Sequence, residues 1–134
     1  MLLVVLAVLA WGFPQEAHAK RRVEWTQVEV RKGDDAKRVA KRLKKMLKRQ
    51  TRHADWGRGN RLKLIANVTQ LHWEQRGDVL RVTVTVVARI DGGKSARSHI
   101  RVGGRPKQRR KLEKQALQIV SGGLVTRLAN IARD

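Results

Sequence analysis

Hydrophobic residues recur with helical spacing in two segments of the chain. Between residue 36 and about Gln50 they fall at i, i+3, i+4 and i+7, which predicts an amphipathic helix. Residues 33–35, Gly-Asp-Asp, should end the preceding strand and supply the helix N-cap. A second helix is predicted from about Lys107 to Ala132, where Gly122-Gly123 indicates either a kink or a close contact with a sheet. The predicted buried residues are Val39, Ala40, Leu43, Met46 and Leu47 in the first helix, and Leu112, Ala116, Ile119, Val120, Leu124, Leu128 and Ile131 in the second.

Four other segments alternate between apolar and polar residues, as strands do: Arg22–Val30, 62–73, 80–90 and 96–102. In the first two segments the apolar residues change parity part-way along. We therefore expect one β-bulge near Thr26-Gln27 and another between Val68 and Leu71. Turns at 75–78 and 91–93 should connect the last three strands as hairpins.

The predicted order is thus β-α-β-β-β-α, which favours an α+β fold. We expect a two-layer sandwich in which a mainly antiparallel sheet carries both helices on one face. The opposite face should be polar and cationic. Its predicted residues are Lys63, Arg81, Thr83, Thr85, Arg89, Arg97, His99 and Arg101.

Residues 1–19 are predicted to be a cleavable signal peptide, leaving residues 20–134 as a single basic domain. The apolar run ends by Phe13 and is therefore too short to span a bilayer. Ala17-His18-Ala19 before Lys20 is a small-x-small cleavage signature. A buried N-terminal strand is the alternative. The expected location is the periplasm or the exterior of a bacterial cell.

The sequence contains no cysteine. This excludes disulfides, thiolate metal sites, a cysteine nucleophile and acylation of a cysteine after the signal peptide. The domain must therefore be held together by its hydrophobic core.

Charge gives the strongest indication of function. The chain has 31 lysines and arginines against 11 acids, and none of these cations lies in residues 1–19. Self-repulsion at this density destabilises a compact state, so it is typical of proteins with a polyanionic partner. Nucleic acid, anionic lipid head groups and acidic polysaccharide are the candidates. A charge that only maintains solubility is the alternative.

Two clusters of cations are predicted to bind the polyanion. The first covers the polar face of the first helix and consists of Lys37, Arg38, Lys41, Arg42, Lys44, Lys45, Lys48 and Arg49. Like charges at i, i+3 and i+4 oppose helix formation, and no acid is interleaved after Asp35. The second cluster, at the start of the second helix, consists of Arg105, Lys107, Arg109, Arg110 and Lys111. Free backbone N–H groups there, with Gly103-Gly104 allowing close approach, suit an anion. A solvated basic surface is the alternative for both clusters.

The α-β-β-β-α order, with a glycine-containing turn and a basic start to the second helix, is similar in outline to the double-stranded-RNA-binding domain. The likeness covers Asp35–Ala132, and the motif resemblance is confined to Gly103–Lys111. The Lys-Lys-x-Ala-Lys run of that family is absent at Arg109–Glu113, and the turn at residues 76–78 lacks its histidine. The resemblance implies shared architecture without membership.

No pattern of catalytic residues is present, so we expect a non-enzymatic protein without a cofactor, a metal or a small-molecule substrate. His72 and His99 should be separated by one strand, which is unsuitable for a shared metal. Trp56 is expected to cover the core or, alternatively, to be exposed. The sequence therefore predicts an exported protein that binds an anionic polymer or membrane surface through its basic helix faces. The alternative is a module of a bacterial envelope complex that docks on an acidic protein through its exposed sheet face.

Overall fold

The computed structural model describes residues 21–31 and 35–134. The elements are β1 (Val23–Val30), α1 (Ala36–His53), β2 (Leu62–Arg76), β3 (Val79–Ile90), β4 (Ser95–Gly104), a 3₁₀ turn (Pro106–Gln108) and α2 (Arg109–Arg133). This order confirms the predicted fold class. The predicted signal peptide, its cleavage residues Ala17, Ala19 and Lys20, and the predicted cap residues Gly33 and Asp34 lie outside the described residues.

The four strands form one sheet in the order β1-β2-β3-β4. β1 runs parallel to β2, whereas the β2–β3 and β3–β4 pairs are antiparallel. The register shifts between Trp25 and Gln27 and again between Val68 and Gln70, so both predicted bulges are confirmed. Each bulge returns the apolar residues that follow it to the helix side of the sheet, because side chains alternate with a period of two.

Both helices pack on one face of the sheet: α1 lies over β1, and α2 lies over β3 and β4. α1 buries Val39, Leu43 and Leu47 as predicted and extends to His53, beyond the predicted end at Gln50. Its N-cap residue Asp35 makes no capping hydrogen bond with its side chain, which is paired with Arg38 instead.

The predicted buried stripe of α2 was partly wrong. Ile119 is 46% exposed and Ile131 is half-buried, whereas Leu117 and Val125 are buried. The difference arises because α2 packs against α1 as well as the sheet. Its buried arc is therefore wider than that of a helix resting on a sheet alone, and it is turned toward α1.

Two glycines allow α2 to approach β4 closely. A Cβ atom at Gly104 would lie 2.8 Å from Cδ2 of Leu112, and one at Gly123 would lie 3.1 Å from Oγ of Ser98. α2 is continuous through Gly122-Gly123, and within this pair Gly123 makes the close contact with the sheet, as the second alternative predicted, while Gly122 lies near Gln50 of α1. The space beside Gly104, predicted to admit a ligand, is occupied by Leu112.

The loop between α1 and β2 closes the end of the core. Trp56 is 5% exposed and its Nε1–H donates to the carbonyl of Thr51 at 3.0 Å, which confirms that it covers the core. The Arg21 guanidinium donates to the carbonyl oxygens of Asn60 and of Ala132, near the end of α2. No helix in the described ranges is both long enough and apolar enough to cross a membrane.

Candidate polyanion-binding surface

A buried carboxylate connects the two helices. Glu113 of α2 is 4% exposed, and its two oxygens accept hydrogen bonds from Nη1 and Nη2 of Arg38 at 2.6 and 2.9 Å. Arg42 donates to the same carboxylate at 3.4 Å. The hydrogen bond to Glu113 raises the pKa of Arg38 above its ordinary value. Two cations of α1 are thereby fixed against α2.

The helices run in the same direction along the sheet. Near the start of α1, Arg38 and Arg42 contact Glu113 in the second turn of α2. Further along both helices, a Cβ atom added at Gly122 would lie 3.9 Å from the side chain of Gln50. Both helix starts therefore lie at the same end of the molecule. Since Arg109 and Arg110 precede Glu113 by one turn, the structure brings these two members of the second predicted cluster beside the start of the first.

The predicted cations of α1 point in three directions. Arg38 and Arg42 face α2. A second group lies on the side of β1: Lys44 and Lys48 line a groove with Val23 and Trp25, and Lys37 lines another with Val30 and Arg31. The third group is exposed on the outer side of the helix and comprises Lys41, Lys45 and Arg49. The predicted single basic face is thus divided between three surfaces.

One cation at the start of α2 is held by an aromatic ring. The guanidinium carbon of Arg109 lies 4.2 Å from the ring centroid of the half-buried Trp73. Stacking restricts the arginine while leaving the N–H groups at the edge of its guanidinium plane directed outward. Such an arrangement suits planar, bidentate recognition of phosphate, sulfate or carboxylate.

Few of these cations are neutralised within the protein. Among residues 21–31 and 35–134, Arg38 and Arg42 are the members of the two predicted clusters that form ion pairs, with Asp35 and Glu113. The other pairs in that part of the chain are Arg61–Glu24 and Arg76–Glu74. The lysines of α1 and the cations at residues 105–111 therefore direct their charge to solvent.

The outer face of the sheet carries the predicted polar residues. Thr85 is 2% exposed although no element of residues 21–31 and 35–134 covers this face, because Gln70 and His99 flank it on the neighbouring strands. Its hydroxyl lies 2.9 Å from Oε1 of Gln70 and 2.7 Å from Nδ1 of His99. His72 pairs with Thr83, so one strand separates it from His99, as predicted. No group of three histidine or acidic side chains in the described ranges could hold a metal ion.

Glu113 and Trp73 belong to this surface but were not predicted from the sequence. A signal for Glu113 was available: it precedes Ala116 by three residues and Val120 by seven, so an acid occupies the predicted apolar stripe of a basic helix. Trp73 ends the predicted strand at 62–73, and no local pattern indicates that it contacts Arg109.

No protein-family model and no curated protein matches the chain. Three solved structures are similar in outline. A putative lipoprotein from Caulobacter crescentus CB15 is 13% identical, with a TM-score of 0.49 over 83% of this chain and 87% of that one. A minor lipoprotein from Acinetobacter baumannii is 9% identical (TM-score 0.48, 83% and 94% covered), and a PelC dodecamer from Paraburkholderia phytofirmans is 14% identical (0.42, 85% and 87%). At these scores and identities nothing about function follows from the likeness.

Proposed function

We propose that this is an exported, non-enzymatic protein that binds an anionic polymer or an anionic membrane surface through α1 and the start of α2. The observation that carries the proposal is the ion pair of Glu113 with Arg38 and Arg42. It holds the start of the first cationic cluster beside the start of α2, although the two are far apart in sequence. A charge kept only for solubility requires no such juxtaposition.

The distribution of cations favours a ligand with repeated charges over a small anion. The exposed cations extend along several turns of α1, at about 5.4 Å per turn, and continue onto the start of α2. Lysines on a helix surface contact phosphates, sulfates or carboxylates as separate point charges. Envelope lipid head groups, acidic polysaccharide and extracellular nucleic acid all present charges in this way.

A second candidate function is supported by the outer sheet face. The Gln70–Thr85–His99 hydrogen bonds order the centre of this face, and Arg81, Arg89, Arg97 and Arg101 surround it in fixed register. An acidic protein of an envelope complex would suit this surface, because its carboxylates would meet arginines whose spacing is set by the sheet.

One comparison of variants tests both functions. The helix variant replaces Lys41, Lys45, Arg110 and Lys111 by glutamine; the sheet variant replaces Arg81, Arg89, Arg97 and Arg101 by glutamine. Each variant loses four positive charges, so the two variants have the same net charge and a similar long-range electrostatic field. Binding to heparin, duplex DNA and anionic vesicles is measured for each over a range of salt concentrations.

We expect the helix variant to lose binding and the sheet variant to retain most of it. On DNA, the slope of log K against log salt should fall by about 0.9 for each phosphate contact removed, so by about 3 to 4 for the helix variant. Equal losses in both variants would show that net charge alone matters. A larger loss in the sheet variant would favour the outer sheet face.

A further inference from the structure

Among the residues that the structure describes, no strand pairs with the edge of β1 that faces away from β2. The Leu62 N–H donates to the Arg22 carbonyl at 2.8 Å, and the Arg31 N–H donates to the Val68 carbonyl at 3.3 Å. In a parallel ladder alternate residues bond to the neighbouring strand, and the bulge after Trp25 shifts this alternation by one. The backbone N–H and C=O groups that point away from β2 are therefore those of Val23, Trp25, Val28 and Val30.

Lysines of α1 lie along this open edge on the helix side of the sheet. Lys44 and Lys48 line a groove with Val23 and Trp25, and Lys37 lines one with Val30. Their spacing of seven and four residues keeps them on one face of α1. No ion pair involves these three lysines within the described ranges.

The outer side of the same edge is acidic, and its glutamates also line the lysine grooves: Glu24 with Lys44 and Lys48, and Glu29 with Lys37. Glu24 and Glu29 project from β1 on the outer side of the sheet, and Gln27 lies between them. Arg61 neutralises Glu24 at 3.1 Å, whereas Glu29 has no ion pair in the described part of the chain. A strand added here would thus meet cations on one side and an acidic or neutral surface on the other.

We propose that the β1 edge binds an extended acidic peptide segment of a partner protein as a fifth strand. Backbone hydrogen bonds to Val23, Trp25, Val28 and Val30 would supply affinity. Because side chains alternate, every second residue of the peptide would reach the lysines, so Asp or Glu is favoured at those positions. Uncharged residues are favoured at the positions between, which face Glu29. This site uses Lys37, Lys44 and Lys48, on the side of α1 away from α2. It does not use the outer lysines of α1 or the start of α2, which the helix variant changes.

Charge argues against a second copy of this chain as the occupant. Pairing two β1 edges would bring Lys37, Lys44 and Lys48 of each copy toward the same lysines of the other. It would also place Glu29 near the glutamates of the second β1. Like charges directly opposite one another destabilise strand pairing, so an acidic strand is favoured over self-association.

The test uses fluorescent peptides at one fixed salt concentration. In the probe peptide, Glu and Thr alternate over 8 residues, the length of β1. The control peptide has the same composition, but all its glutamates are at one end and all its threonines are at the other. Binding by fluorescence anisotropy should be at least tenfold tighter for the alternating peptide. Equal affinity for the two peptides would show that the β1 edge does not distinguish an alternating sequence from a segregated one, and would contradict the proposal.

A pair of matched protein variants separates this site from the polyanion surface. The double variant Lys44→Gln and Lys48→Gln should weaken the alternating peptide at least tenfold. The control double variant Lys41→Gln and Lys45→Gln removes the same charge from the outer side of the same helix and should weaken it less than threefold. Equal weakening by the two pairs would overturn the proposal. Heparin binding is measured separately for each variant. A failure of the peptide-binding proposal can therefore be distinguished from a failure of the polyanion-binding proposal.

The backbone contribution is tested by Val28→Pro, with Val28→Thr as control. The Val28 N–H points away from β2, so proline removes a donor to the added strand while the ladder to β2 is retained. We expect at least a tenfold loss of peptide binding with an unchanged far-UV circular dichroism spectrum, and little loss in the threonine variant. A folded proline variant with unchanged affinity would refute strand addition. If proline prevents folding, the lysine variants decide. A dimer in sedimentation that competes with the peptide would identify a second copy as the occupant instead.

Discussion

Replacing Glu113 by glutamine should destabilise the protein through the contact between its helices. Glutamine has nearly the size of glutamate but no charge. Its amide has one oxygen that can accept hydrogen bonds, whereas the carboxylate has two. Breaking a fully buried ion pair costs about 3–5 kcal/mol. The side chains of Arg38 and Arg42 are 33% and 32% exposed, so water recovers part of their interaction. We therefore expect a loss of about 2 kcal/mol in the free energy of unfolding.

The measurement is urea unfolding at 25 °C together with thermal unfolding at neutral pH. A loss of this size corresponds to a fall in Tm of about 8 °C for a domain of roughly this length. Glu24→Gln is the matched control, since Glu24 also pairs with an arginine at 3.1 Å but is 48% exposed and should change stability by less than about 0.5 kcal/mol. In a double-mutant cycle, Arg38→Gln and Glu113→Gln should show a coupling energy above about 1 kcal/mol. Equal losses in the Glu113 and Glu24 variants would refute the role assigned to the buried carboxylate.

Two further predictions concern packing and export. Gly104→Ala should lower stability by about 1–2 kcal/mol in urea unfolding, because its Cβ would lie 2.8 Å from the buried side chain of Leu112. Gly103→Ala, whose Cβ would be 3.6 Å from Val79, should change stability by less than about 0.5 kcal/mol, and similar losses in both would contradict this account of α2 packing. The exported protein should begin at Lys20, since Ala17-His18-Ala19 presents small residues to the signal peptidase. N-terminal sequencing that recovers Met1 would exclude this cleavage.

The secondary structure could be predicted because its signals are local. A change of parity from Trp25 to Val28, and again from Val68 to Leu71, was enough to locate both bulges, since an extra residue is needed to keep apolar side chains on one face. The order of elements then restricted the architecture to two layers. The main error among the predicted buried residues was in α2, where Ile119 has helical periodicity but lies outside the arc that the sheet and α1 jointly cover.

The candidate site was less predictable because its decisive contact is not local. Arg38 and Glu113 are separated by 75 residues, and neither position reveals its partner. Composition alone identified a basic helix face. The placement of α1 relative to β1 and α2 decides which of its lysines face β1 and which face solvent. It also decides which of its arginines form ion pairs. A single sequence does not specify that placement.

The arrangement also explains how α1 tolerates so many like charges without interleaved acids. Glu113 of α2 pairs with both Arg38 and Arg42, so its negative charge offsets part of the repulsion between these i and i+4 arginines. The lysines that remain fall on two separate sides of the helix, which increases the distance between the charges of the two groups. Glutamates interleaved on α1 would relieve the same repulsion, but they would neutralise those two surfaces. Placing the compensating acid on α2 keeps the exposed sides of α1 cationic, as binding of an anionic partner requires.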